Sequence, residues 1–461
     1  MLIIETPESY TSERKYICDV VFGGFLGVPF KLVPSRRGNI RITLQGDTER
    51  RQLLLADVFF QTPSGDWLTR SALPSGPLSS VDLIGPPAAL TGMRLPLLFA
   101  VEHPARGSPQ TILSSADILG GIFFLLTRYE EAVAADLDEH QRFTSRSSVA
   151  ARHGFLDRPL ADEYVEVLWQ GLANTWPALV RHEPQYRFLL SHDIDWPLCN
   201  LGVSLGGSMR AAAGDILKRH DAWLGLRRLL SWGHHRREHY DTDPFNTFDL
   251  IMDTSEKHGI RSAFYFIADR RHSLDGTYDI DAPWIRNLLV RIHRRGHEIG
   301  LHGSYTTFRD ASQVYLEFEH LKAACASLGI ERTTWGGRQH YLRWENPTTW
   351  QAYSEAGLSY DSTLTFADHV GFRCGTCREY PVFNLRSRKQ LALRERPLIA
   401  MEGSLFSYQR LGVRAALEQI AALRNACRRV RGDFTLLWHN SSLASGAEKR
   451  AYRQAIELLA A

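Results

Sequence analysis

The sequence predicts an α/β fold, and three observations carry that prediction. At 461 residues the chain exceeds what one hydrophobic core usually serves, so two domains are expected. Residues 1 to 185 read as a sheet with helices after it, an α+β domain smaller than the remainder of the chain. From the apolar run Phe188-Leu189-Leu190 onward, strand-like and helical segments alternate, which is the pattern of α/β architecture with sites at strand ends. The boundary is placed in the polar stretch at Glu183 to Gln185, giving domains 1–185 and 186–461.

Short apolar runs between turn residues predict strands at Tyr16 to Val21, Asn39 to Leu44, Gln52 to Gln61 and Leu95 to Val101. Apolar residues at helical spacing predict helices over Ala116 to Ala134 and over Arg158 to Leu179, the latter with Pro159 near its start. The first half contains no cluster of His, Cys or paired carboxylates that reads as a site. In the second half, strands at Ser262 to Ile267, Glu298 to Leu301 and Phe434 to Trp438 alternate with helices at Trp284 to Arg294 and Ala311 to Leu328. One insertion, about 201 to 243, interleaves Arg210, Lys218, Arg219, Arg227, Arg228, Arg236 and Arg237 with Leu and Trp. It reads as a basic amphipathic helix or helical pair, either a solvated face packed on the barrel or a contact for an anionic glycan or a membrane surface.

The formal charge of +3, with 23% charged and 44% hydrophobic residues, is that of an ordinary globular protein and requires no nucleic-acid partner. Six unevenly spaced cysteines do not make a secreted disulfide framework in so long a chain. The opening residues lack a signal peptide's apolar region, and no run reaches the roughly 20 apolar residues of a membrane span, so the expected location is the cytoplasm.

Four segments carry chemistry. In Ser191-His192-Asp193-Ile194-Asp195, two aspartates two apart at a strand end project in one direction, one suited to a cation and the other to taking a proton from water. In Gly296-His297-Glu298-Ile299-Gly300-Leu301-His302, another strand end delivers the metal-type ligand His302, while His297 reads as a structural hydrogen bond beneath it. In Gly337-Arg338-Gln339-His340-Tyr341-Leu342-Arg343-Trp344, Arg338 suits carboxylate orientation and the backbone near His340 and Tyr341 suits an oxyanion. The strand Leu436-Leu437-Trp438 ends in His439, a candidate general acid to a leaving amine.

In this order, the four segments resemble the NodB-homology polysaccharide deacetylases, carbohydrate esterase family 4, over roughly residues 186 to 461. The resemblance implies an irregular (β/α) barrel with its site at the strand C-termini. It implies Asp193 as catalytic base, Asp195 and His302 as metal ligands, Arg338 as the residue positioning the base, the Tyr341 amide as oxyanion donor, and Leu437 with His439 as the Leu-x-His motif whose histidine is the general acid. The segments Tyr360 to Leu364 and Phe372 to Cys377, with residues 117 to 131 ending in Thr127-Arg128-Tyr129-Glu130-Glu131, resemble a subgroup carrying a distinct N-terminal domain.

Two departures bear on the metal. Thr306 stands where the family has its second metal histidine, and His340 replaces a proline of the arginine motif. Either His340 or His192 completes the site, or Asp195 and His302 hold the ion with water alone. The expected cofactor is a divalent cation, zinc, and the expected substrate an N-acetylated or otherwise N-acylated sugar of a glycan or glycan precursor. A metal-independent amidase and a non-catalytic glycan-binding protein are the alternatives. Trp438, Tyr341 and Trp344 are each either a stacking surface for a sugar ring or part of the core. The Cys374–Cys377 pair has no second CxxC to complete a zinc knuckle and is expected in a loop near the substrate cleft.

Overall fold

The computed structural model describes every residue except 86, 88, 89, 104, 105, 134 and 135. Strand β1 (Leu2–Pro7), alternately buried at Leu2 and Ile4, pairs in parallel with β2 (Phe30–Ser35) and antiparallel with β3 (Ile40–Leu44), which pairs with β4 (Gln52–Leu55). The parallel β1–β2 pair needs a crossover, and helix α1 (Thr11–Cys18) with the widened helical segment Asp19–Phe25 supplies it. This corrects the strand expected at Tyr16 to Val21. Tyr16, Ile17, Cys18, Val20 and Val21 are all buried, so the segment shows no exposed face from which a helical period could be read.

Strands β5 (Ser79–Leu83), β6 (Arg94–Leu97) and β7 (Arg106–Gly107) form a second small sheet. Next come helices α2 (Pro109–Ser115), α3 (Ile118–Leu126), α4 (Tyr129–Val133), α5 (Val149–Arg152) and α6 (Leu160–Thr175). The helical spacing of Ala116 to Ala134 is divided between α3 and α4 at Arg128, whose φ is 51°; Ala134 lies outside the described residues. Buried Asp117 starts α3. One carboxylate oxygen accepts the Gly120 N–H at 2.7 Å, and the other accepts those of Val58 and Phe59 at 2.8 Å each, tying the helix to the turn after β4.

The rest of the chain is the predicted α/β architecture. In chain order it runs β8 (Arg187–Ile194), α7 (Leu205–Leu217), α8 (Ala222–His235), α9 (Phe248–Lys257), β9 (Ala263–Phe266), α10 (Pro283–Arg294), β10 (Glu298–Gly303), α11 (Ala311–Ala326) and β11 (Gly336–Gln339). It continues with α12 (Thr348–Ala356), β12 (Tyr360–Asp361), β13 (Tyr380–Asn384), β14 (Lys389–Glu395), β15 (Ala400–Met401), α13 (Val413–Arg429), β16 (Asp433–Leu437) and α14 (Gly446–Ala460). The nine strands form one curled sheet in the order β13-β14-β12-β11-β10-β9-β8-β16-β15, parallel except for the β13–β14 hairpin. Its edges, β13 and β15, remain unpaired with each other, so the barrel is open. Parallel pairing points all the C-terminal strand ends the same way, and the alternation of strand with helix is what makes that pairing possible. Among the described residues no helix is long and apolar enough to cross a membrane.

The two parts share one continuous hydrophobic core. The β13–β14 hairpin packs on α1 and α3: Tyr16 Oη donates to the Pro381 carbonyl at 2.8 Å, and Phe383 meets the rings of Tyr16 and Phe123 at 4.8 and 5.6 Å. The Cys374–Cys377 loop belongs to this joint and not to the substrate cleft. Thr376 Oγ1 and the Cys377 N–H both donate to buried Asp162 of α6 at 2.9 Å, and Arg373 pairs with Glu131 at 2.6 Å. Gly375 is needed there, because a Cβ would press on Leu125. All six cysteines are free and buried, and burial pushes the Cys374 and Cys377 thiols up.

Candidate active site

Four strand ends converge. Parallel register sets Asp193 of β8 opposite Tyr265 of β9, and His302 of β10 opposite Arg338 of β11; His439 lies just past the end of β16, the other neighbour of β8. In a flat sheet β8 and β11, separated by two strands, would lie about 14 Å apart. Curling brings their side chains together: Arg338 Nη1 donates to Asp193 Oδ1 at 2.7 Å and to Ser191 Oγ at 3.0 Å. The guanidinium is fully buried, its Nε and Nη2 donate to the Ser362 carbonyl and hydroxyl at 2.8 and 3.0 Å, and the Tyr265 ring lies 4.8 Å from it. An arginine so enclosed holds one aspartate oxygen in place and leaves the other facing the site.

Asp195, His302 and His340 bring their donor atoms within 4.8 Å of one another. His302 Nε2 and His340 Nε2 lie 3.1 and 3.5 Å from Asp195 Oδ1, a buried oxygen without another partner. His302 Nδ1 is 2.9 Å from the Arg338 carbonyl and His340 Nδ1 is 3.1 Å from Asp275 Oδ1. Both partners only accept, so both Nδ1 atoms carry hydrogen and the Nε2 atoms are the ones that face Asp195. Burial lowers the His340 pKa, but Asp195 and Asp275 outweigh it and hold the imidazole up to about 9. Burial raises Asp195, yet His340 and His302 keep its carboxyl well below the usual range. The electrostatics thus favour positive charge where the three donors meet.

His439 stands on the opposite side of Asp195, with Nε2 3.6 Å from Asp195 Oδ2. Glu402 Oε1 receives His439 Nδ1 at 2.6 Å, the His439 N–H at 3.2 Å and Ser442 Oγ at 2.8 Å. Burial lowers this histidine, but Glu402 and then Asp195 raise it to about 10, so it is protonated at neutral pH. Tyr341, next after His340, has a left-handed φ of 59°, as does Leu342 at 57°.

The structure therefore brings together Asp193, Asp195, His302, Arg338, His340 and His439, with Tyr341 beside His340. Thr306 is exposed and outside the cluster. His192 is also outside it: its Nδ1 lies 2.6 Å from the Trp438 carbonyl, its ring packs on Phe264, and burial depresses it to about 3. His297 is structural, accepting the Ser262 N–H at 3.2 Å. Trp344 is buried against Trp350 and offers no stacking surface, and Trp438 is buried too, lining a neighbouring cavity; of the three only Tyr341 is partly exposed.

Sequence reasoning missed Asp275, in a loop, and Glu402, which starts the helical turn after β15; neither carboxylate has a motif around it. It also missed the contribution of the first half. His140 Nδ1 meets Tyr305 Oη at 3.0 Å, and Arg142, paired with Asp138 at 2.7 Å, donates to the Tyr341 carbonyl at 3.1 Å and to Tyr408 Oη at 3.0 Å. Gly276 is a further requirement: a Cβ there would overlap the Asp195 carbonyl, so only glycine lets the Asp275 loop approach.

Residues 2–177 match a family of unknown function, DUF7033. No curated protein matches the chain. Among solved structures, a presumed polysaccharide deacetylase from Mycobacterium smegmatis is 16% identical with a TM-score of 0.39, covering 61% of this chain and 85% of its own. A polysaccharide deacetylase from Bacillus cereus is 13% identical with a TM-score of 0.30, covering 59% and 87%. A carbohydrate esterase family 4 pseudoenzyme from Bacillus anthracis is 8% identical with a TM-score of 0.30, covering 60% and 62%.

Proposed function

We propose that the chain is a metal-dependent hydrolase that removes an N-acetyl, or another small N-acyl, group from a sugar of a glycan or glycan precursor. The observation that carries this reading is the Asp195–His302–His340 cluster, placed between an arginine-held aspartate and a carboxylate-held histidine. Asp195 with the Nε2 atoms of His302 and His340 would hold the cation; two imidazoles and a carboxylate suit zinc. When bound, a divalent cation polarises the acyl carbonyl and acidifies water.

Asp193 takes a proton from the attacking water at Oδ2, while Arg338 keeps Oδ1 occupied and the carboxylate oriented. The Tyr341 N–H, presented by its left-handed turn, supports the oxyanion. His439 gives the proton on Nε2 to the departing amine nitrogen, with Glu402 on Nδ1 fixing the ring. Water thus becomes the new carboxylate oxygen, and the C–N bond breaks to leave acetate and the free amine.

The test is acetate release from N-acetylated oligosaccharides. The expected result is activity that complete chelation removes, zinc restores and Asp193→Asn abolishes. Activity that survives chelation would establish a metal-independent amidase instead. Undiminished glycan binding by Asp193→Asn, with no acetate released by the parent, would establish a binding protein.

A further inference from the structure

The insertion between β8 and α9 folds as an antiparallel hairpin of α7 and α8, capped at its starts by Ser204 and Asp221. One side of the pair faces inward, where buried Arg228 holds buried Asp215 at 2.7 Å. The outward side is apolar. On α7, Leu205, Met209 and Ile216, with Leu217 beside them, recur at helical spacing and are 43 to 73% exposed; on α8, Trp223, Leu226 and Leu230, with Leu229, are 37 to 66% exposed. Of 18 large hydrophobic residues exposed among those described, these are 8, gathered in 26 positions. Such a concentration on one face marks an interaction surface, because scattered exposed apolar residues carry no such meaning.

We propose that this hairpin face docks on an anionic lipid surface. Charge selects that occupant. Between Leu205 and Arg237 the sequence holds seven Lys or Arg against two Asp. One of those Asp is buried with Arg228, and the other, Asp221, accepts the Leu224 N–H. The cations Arg210, Lys218, Arg219, Arg236 and Arg237 are exposed around the apolar stripe. A second copy of the same face would set these cations against one another, whereas acidic headgroups neutralise them while the apolar side chains enter the acyl boundary. The hairpin's Arg219 and Arg228 also line a cavity of about 630 Å³ whose wall includes Trp196, next to Asp195, and Glu402, the partner of His439. Docking therefore brings the flank of the site to the lipid surface, and it holds whether or not the site is hydrolytic.

The test is co-sedimentation of the full chain with vesicles of equal parts phosphatidylglycerol and phosphatidylcholine, and with phosphatidylcholine alone. Binding to the anionic vesicles, weakened by salt and reduced about tenfold or more in Leu217→Glu/Trp223→Glu, is the expected result. Both substitutions lie on exposed positions, and an unchanged thermal midpoint confirms that the variant folds. Equal binding to both vesicles, no binding, or binding unaffected by the double variant would overturn the proposal. So would a parent dimer that the double variant converts to monomer without any vesicle binding, since a second copy would then be the occupant.

Discussion

Among single residues, the site depends on side chains that hold its histidines from behind. Asp275 orients His340 and Glu402 orients His439, each through the imidazole Nδ1. Removing such a partner typically weakens metal affinity about 10–100-fold. Asp275→Asn is therefore expected to show that loss in a zinc titration, while Glu402→Gln keeps its metal and lowers kcat. Replacing His439 itself by Ala should lower kcat about 10²–10⁴-fold, the usual contribution of a general acid, with metal content unchanged. Asp193, Asp195, Arg338 and His439 were legible in the sequence because each sits at a strand end inside a recognisable motif. His340 was legible as the third ligand because it replaces a proline of the arginine motif; His192, the other candidate, lies beside the aspartates, but strand alternation turns that ring to the other face of the sheet.

Among the elements, the turn at His340 to Leu342 is held from outside its own sheet. The segment Asp138 to Phe143 of the first half packs on it, and Arg142, paired with half-buried Asp138, anchors the Tyr341 carbonyl. Arg142→Ala should release this turn and lower kcat/KM about 10–100-fold, the range a displacement of an ångström can produce, while the bound metal stays. An equal loss of metal would show that the turn is structural only. This contact was invisible in the sequence, since His140 and Arg142 lie 165 and 199 positions from their partners and form no pattern with them. The strands after Phe188 were readable as short apolar runs buried on both faces, and the helices between them as segments with one buried side. The helical stretch from Tyr16 to Val21 was not, because every residue in it but Asp19 is buried.

Across the whole molecule, buried charges join the two parts and set the pH response. Arg128, Glu130, Glu131 and Arg373 form one buried ion network across the joint. Leaving a buried charge without its partner costs about 3–5 kcal/mol, so Glu131→Ala should lower the unfolding free energy by that amount. Behind the site, burial raises Asp361 to about 7, and burial with the adjacent Asp361 charge raises Glu395 well above its ordinary value. Both carboxyls hold protons in the fold at pH values where the unfolded chain has lost them. Their contribution to stability is complete below the unfolded carboxyl range near ~4, and is lost as pH rises toward 7. Urea midpoints should fall over that interval, and fall less in Glu395→Gln.

Everything proposed for the chemistry turns on Asp195, His302 and His340 together holding a divalent cation. Elemental analysis of the zinc-loaded, dialysed chain decides this, comparing the parent with His340→Ala and Thr306→Ala. Close to one zinc per chain is expected in the parent and in Thr306→Ala, with its loss in His340→Ala. Full zinc retained by His340→Ala, or none held by the parent, would rule the three-ligand site out.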